Sequence, residues 1–132
     1  MLDPLRPGGT GRYRAAAFDY ETDQPLAVPE ATAPGSAVLV FDGIFLHRPE
    51  LVAYWDYSIF LRVGFSTSIP RCAQRHPWLS PDPGAESNRR YVMGQRLYIR
   101  ECKPEKLATI IVDNEDLEAP YLVGRAGQAR VR

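Results

Sequence analysis

Apolar residues along this chain fall in short runs rather than at a sustained helical spacing. Residues 37–46 (AVLVFDGIFL) form a β-branched and aromatic run with no polar alternation before Asp42, the pattern of a parallel strand buried on both faces. Pro49 suits the first turn of a helix, with Glu50 favourable near its N-terminus and Leu51, Tyr54 and Trp55 as apolar positions, so a short helix is predicted after that strand. Residues 57–63 (YSIFLRV) predict a second strand, which Gly64 breaks. Ser66 or Ser68 is placed to cap a helix running to about Arg75, with Phe65, Ile69, Cys72 and Ala73 toward the core and Pro70 tolerated in its first turn. Asn88 is placed to cap a helix from Arg89 to about Glu101, and Pro104 marks the next boundary. Residues 109–112 (TIIV) predict a third buried strand, ending at Asp113 and Asn114. Ahead of all these, residues 12–20 (RYRAAAFDY) read as a strand or hairpin arm. The order βαβα, loop, αβ predicts an α/β layer structure with a mainly parallel sheet, right-handed crossovers and ligands at the carboxyl ends of the strands.

A length of 132 residues supports one domain and one modest core. The expected division is an arm and loop over residues 1–36, an α/β core over 37–116 and a tail over 117–132. Glycine (10) and proline (12) reach about 17% of the chain, against roughly 12% in average usage. They concentrate at residues 4–11, 25–35 and 77–84, which read as loops. Sixteen basic residues balance sixteen acidic ones, so no global field draws the chain to nucleic acid or to a membrane surface. No apolar run approaches the roughly 18 residues that span a bilayer, and residues 1–11 lack the apolar core of a signal peptide. Cys72 and Cys102 have neither CxxC nor Cys/His spacing, which points away from a disulfide framework or a zinc site. The expected setting is the cytoplasm.

Two groups of residues carry candidate chemistry. Asp42 stands late in an apolar strand pattern, where a carboxylate can reach a nucleotide-bound magnesium; because Gly43 follows it, a turn or capping aspartate fits the same pattern. Arg71 and Arg75 are four apart on one helix face, and Arg89, Arg96 and Arg100 fall within about 40° of one another at about 100° per residue. With the Pro/Gly loop between their helices, these arginines suit a mobile lid bringing cations to a polyphosphate, or else a solvated basic face.

The stretches VLVFDGIFLHRPEL, WDYSIFLRV, RCAQR and RRYVMGQRLYIRECKPEKLATIIVDNED together resemble the carboxyl-terminal part of the uridine kinase family, a branch of the P-loop nucleoside kinases. The resemblance covers roughly residues 38–116. It implies a partial P-loop kinase-like fold, ATP and Mg2+ as cofactors, and transfer of the γ-phosphoryl group to a nucleoside 5′-hydroxyl. It places Asp42 near magnesium, Arg71, Arg75 and Arg90 in a phosphate-clamping lid spanning residues 71–101, and Asp113 and Asn114 beside the donor's adenine and ribose. Phe18, Asp19 and Tyr20 fall in the hairpin that covers the acceptor nucleoside; Tyr13, Phe18 and Tyr20 suit stacking on a ring, although strand aromatics more often serve a core.

The departures from the family bear on activity. No GxxxxGKS/T motif precedes the resemblance, the two lysines are Lys103 and Lys106, His76 stands where the family has aspartate after the lid arginine, and Thr109 where it often has aspartate. The chain therefore reads as a kinase's second half without its first, with little or no turnover expected from it alone. The expected partners are a nucleotide and a nucleoside, with no nucleic acid and no membrane. A half-sheet of this kind is expected to form a homo-oligomer or to meet a chain supplying the P-loop half. The alternative from another class is a non-catalytic binding or assembly module derived from the kinase fold, and a third is a small-molecule-binding domain unrelated to kinases.

Overall fold

A parallel pair of strands organises the larger of the two units into which the chain divides, Met1–Phe41 and Asp42–Arg132. The structure, a computed structural model, describes residues 2–19 and 22–124. In the larger unit β5 (Ile59–Arg62) pairs in parallel with β6 (Ile110–Asp113), Ile59 opposite Ile110 and Arg62 opposite Asp113. The residues between them are enough for the helical crossover a parallel pair requires. They form α1 (Phe65–Arg75), α2 (Glu86–Cys102) and α3 (Pro104–Leu107). The connection from β6 to β7 (Tyr121–Gly124) is too short for a crossover, so β7 returns antiparallel, in the order β5-β6-β7. The fold is thus mixed α/β, and its three-stranded sheet is mixed where a mainly parallel one was expected.

The core of this unit is small. Ile69 of α1, Val92 and Tyr98 of α2, and Ala108 are buried, with Pro104 fully enclosed at the start of α3. Tyr98 meets Phe45 edge-on, ring centroids 5.3 Å apart.

Three local departures from the sequence expectations have physical causes. Neither Ser66 nor Ser68 caps α1: the helix starts after Gly64, so Pro70 is its sixth residue, inside the helix rather than in the first turn. There it leaves the carbonyl one turn back without its helical donor. Asn88 is not the cap of α2, which begins earlier, after Ala85. Its buried amide instead donates to the carbonyls of Ser80 (2.7 Å) and Asp82 (2.8 Å), fastening the preceding loop to the helix. The helix expected after Pro49 is only a 3-10 turn, Val52–Tyr54. Trp55 follows it with extended backbone, and its indole N–H donates to the Leu46 carbonyl at 2.7 Å.

The largest departure is the run expected to be the most buried strand. Residues 37–46 form no strand. Within the smaller unit, Leu39 and Phe41 line an apolar cleft of about 130 Å³ with Leu2, Leu5 and Tyr13. The alternate residues Val38 and Val40 are 86% and 88% exposed. The run has the side-chain alternation of an extended segment, yet none of the three sheets among the described residues includes it. The rest of this unit is made of two short antiparallel ribbons, β1 (Arg12–Tyr13) with β4 (Ala31–Thr32) and β2 (Phe18–Asp19) with β3 (Gln24–Pro25). The arm predicted over residues 12–20 is split between both ribbons. Asp23 takes the left-handed conformation (φ 56°) in the turn before β3, a backbone state that aspartate tolerates.

Candidate functional site

The carboxyl ends of β5 and β6 gather a polar network. Parallel register sets Arg62 beside Asp113, and the guanidinium donates to one Asp113 carboxylate oxygen through Nε (3.3 Å) and Nη2 (3.0 Å). The other oxygen accepts the Glu115 backbone N–H at 3.1 Å. That N–H first, and the Arg62 guanidinium second, hold the Asp113 carboxyl below its ordinary pKa, while Asp113 raises that of Arg62. The Asn114 N–H continues the ladder to the Arg62 carbonyl at 3.0 Å.

This turn is locked to α1 from two directions. Arg71 donates through Nη1 to the Asn114 carbonyl (2.8 Å) and through Nη2 to the Glu115 carbonyl (2.6 Å). The Glu115 carboxylate returns to the start of α1, accepting the Gly64 N–H and a bond from the Thr67 side chain. The Thr67 bond first, then the Gly64 N–H, lower the Glu115 pKa. No α1 side chain caps the helix, and Glu115 supplies from outside the acceptor and negative charge that a helix start favours. A Cβ on Gly64 would lie 3.0 Å from Glu115 Oε1, so the glycine is what allows this approach.

A second clasp holds the amino ends of the same strands. The Ser58 N–H donates to Thr109 Oγ1 (3.0 Å), and the Thr109 N–H returns to the Ser58 carbonyl (3.0 Å) and hydroxyl (3.2 Å). Buried His47 sits 3.0 Å from the same hydroxyl through Nε2, and its backbone N–H donates to the Tyr98 hydroxyl at 3.0 Å. Burial lowers the His47 pKa, favouring the neutral imidazole.

No protein-family model, curated protein or solved structure matches this chain. Its chemistry is therefore read from its own residues.

The structure distributes the residues singled out from the sequence unevenly. Arg71, Asp113 and Asn114 come together at the carboxyl-end network. Arg75 is exposed at the end of α1 and Arg90 is exposed near the start of α2; the Arg75 charge acts on Tyr91, the residue after Arg90. Neither Arg71, Arg75 nor Arg90 forms an ion pair among the described residues, whereas Arg62, Arg89 and Arg100 are paired with Asp113, Glu86 and Glu101. Arg96 lies over the Phe65 ring, 5.6 Å from its centroid. Phe18 and Asp19 form β2 in the smaller unit, and Tyr20 lies outside the described residues.

Asp42 is exposed on irregular chain rather than at a strand end. Among the described residues no three His, Cys, Asp or Glu side chains gather as a metal site, and Asp113 is already committed to Arg62. Sequence reasoning passed over Arg62, Glu115, His47 and Ser58. Arg62 was visible as the charged end of an apolar strand that must stop level with Asp113; the other three depend on contacts between distant parts of the chain and left no local signal.

Proposed function

We propose that this chain is the lid-bearing, carboxyl-terminal portion of a uridine kinase-like phosphotransferase, one that binds nucleotide phosphates through Arg75 and Arg90. The chemistry of such an enzyme is transfer of the γ-phosphoryl group of ATP to a nucleoside 5′-hydroxyl, with ATP and Mg2+ as cofactors. The observation that carries the reading is the β5-α1-α2-β6 crossover. Its two long helices carry Arg75 and Arg90, which form no ion pair among the described residues, and its first helix is pinned by Arg71 to the turn following Asp113. Guanidinium groups bind phosphoryl oxygens bidentately and keep their charge at any working pH.

Phosphoryl transfer rests on positioning and charge stabilisation, and the main phosphate cradle of the family, GxxxxGKS/T, is not in this sequence. The chain alone is expected to bind ATP or tripolyphosphate with strong salt dependence and to give no turnover with uridine or cytidine. Titration calorimetry with tripolyphosphate tests the binding: Arg75→Glu with Arg90→Glu should abolish it, and Arg89→Glu, which removes an ion-paired cation, should weaken it less. Equal losses, or no binding by the unaltered chain, overturn the reading. Turnover at an ordinary kinase rate, of order 1–100 per second, would reveal a different phosphate cradle. The rival reading, a non-catalytic assembly module, draws on the exposure of Val38 and Val40.

A further inference from the structure

At 77% exposure, Trp78 stands further into water than any other Phe, Tyr or Trp among the described residues. It lies in the loop that joins α1 to α2. An indole in that position leaves unburied a large apolar surface that a core site would cover, yet the backbone beneath it is held on both sides. The His76 N–H donates to the Cys72 carbonyl (3.0 Å), continuing α1, and the Leu79 N–H donates to the His76 carbonyl (2.9 Å). Pro77 and Trp78 are therefore the central pair of a closed turn, and the fixed φ of proline suits the first of those two positions. Further along, the Asn88 amide grips the carbonyls of Ser80 and Asp82. The His76 ring leans on the indole, centroids 5.0 Å apart and planes tilted by 55°.

The charges beside this ring are positive. Arg75 stands three residues before it, in the last turn of α1. The Arg75 charge acts on Tyr91, which brings the end of α1 beside the start of α2, where Arg90 is exposed. The carboxylates that follow Trp78 in the chain are engaged: Asp82 accepts the Gly84 N–H at 2.8 Å, and Glu86 pairs with Arg89. A flat aromatic surface next to cations that form no ion pair among the described residues suits a ligand with a planar ring at one end and anionic oxygens at the other. Guanidinium groups take phosphoryl oxygens, and indole takes the face of a base. A nucleotide carries both in one molecule.

We propose that Trp78 is the stacking platform for the base of the nucleoside triphosphate whose phosphates Arg75 and Arg90 hold. The inference rests on the phosphate reading of those two arginines and adds the residue that distinguishes a nucleotide from inorganic polyphosphate. The turn is closed before any ligand arrives, so presenting the indole costs little further ordering. Stacking uses the π face and not the base edges, so Trp78 favours nucleotides without selecting among bases.

Titration calorimetry with ATP and with tripolyphosphate tests this. Trp78→Ala should weaken ATP binding by about 5–150-fold, the range that loss of one base–aromatic stack gives, while tripolyphosphate changes by less than about twofold. Trp78→Phe keeps an aromatic face and should retain most of the ATP affinity. ATP should quench the tryptophan emission of the unaltered chain but not that of Trp78→Phe, in which Trp55 is the remaining tryptophan; tripolyphosphate should quench neither. If the unaltered chain binds tripolyphosphate and Trp78→Ala leaves ATP affinity unchanged, or weakens both ligands equally, this inference is overturned and the phosphate reading stands. Failure of the unaltered chain to bind tripolyphosphate would overturn the phosphate reading and this inference with it.

Discussion

Residues 38–41 (VLVF) and β5 (Ile59–Arg62, IFLR) are of equal length and similar composition, yet only one of them is a strand. β5 has β6 beside it, held in register at both ends by the Ser58–Thr109 and Arg62–Asp113 contacts. The other run belongs to no sheet among the described residues, and Val38 and Val40 stand almost wholly in water. Strand propensity measures how well side chains fit a paired, half-buried surface rather than an intrinsic backbone preference. The difference between the two stretches is a difference in partners, and substitutions on the paired side should cost stability where those on the unpaired side do not.

The largest effect is expected at the centre of the packed unit. Ile69→Ala removes a side chain that is 2% exposed and should destabilise by about 2–5 kcal/mol through lost burial and the cavity left behind, measured by chemical denaturation. Next comes Asn88→Ala, which deprives the carbonyls of Ser80 and Asp82 of their buried donor and should cost about 1–3 kcal/mol. If Asn88 serves only as a local turn residue, the loss will be a few tenths of that.

The clasps at the two ends of β5 and β6 should separate by pH. The His47 pKa is lowered by burial, so between about 6.5, the ordinary histidine value, and its folded value the unfolded chain binds a proton that the folded chain does not. Stability should fall as pH drops through that window, and His47→Gln should flatten the dependence. Asp113 and Glu115, both lowered, contribute stability that is present above the ordinary carboxyl values of about 4 and is lost as pH falls through their folded values. Melting temperature against pH should therefore show two steps, with the lower one reduced in Asp113→Asn. The smallest effect belongs to Val38→Ala, expected within about 0.5 kcal/mol of the unaltered chain.

The same partner dependence explains how much of the molecule was legible in its sequence. β5, α1 and β6 were readable because apolar runs bounded by Gly64, Asp113 and Asn114 found the neighbours their pattern required. The β6–β7 pairing was missed because YLVG follows an acidic turn and was assigned to a tail. Residues 37–46 predict a buried strand on a composition that β5 shares, and that pattern forms a strand only where a neighbouring strand pairs with it. Asn88 has the chemistry of a helix cap but satisfies carbonyls of the loop before its helix, a choice made by packing. In the candidate site, Arg71, Asp113 and Asn114 were accessible from spacing and from the resemblance. Glu115 was not, since its role at the start of α1 depends on a bond between residues far apart in the chain.

Amide hydrogen exchange tests most directly whether strand pairing is what separates the two stretches. The account predicts slow exchange at Phe60, whose backbone faces β6, and fast exchange at Val38 and Val40, which belong to no sheet among the described residues. Equal protection of the two stretches would contradict it.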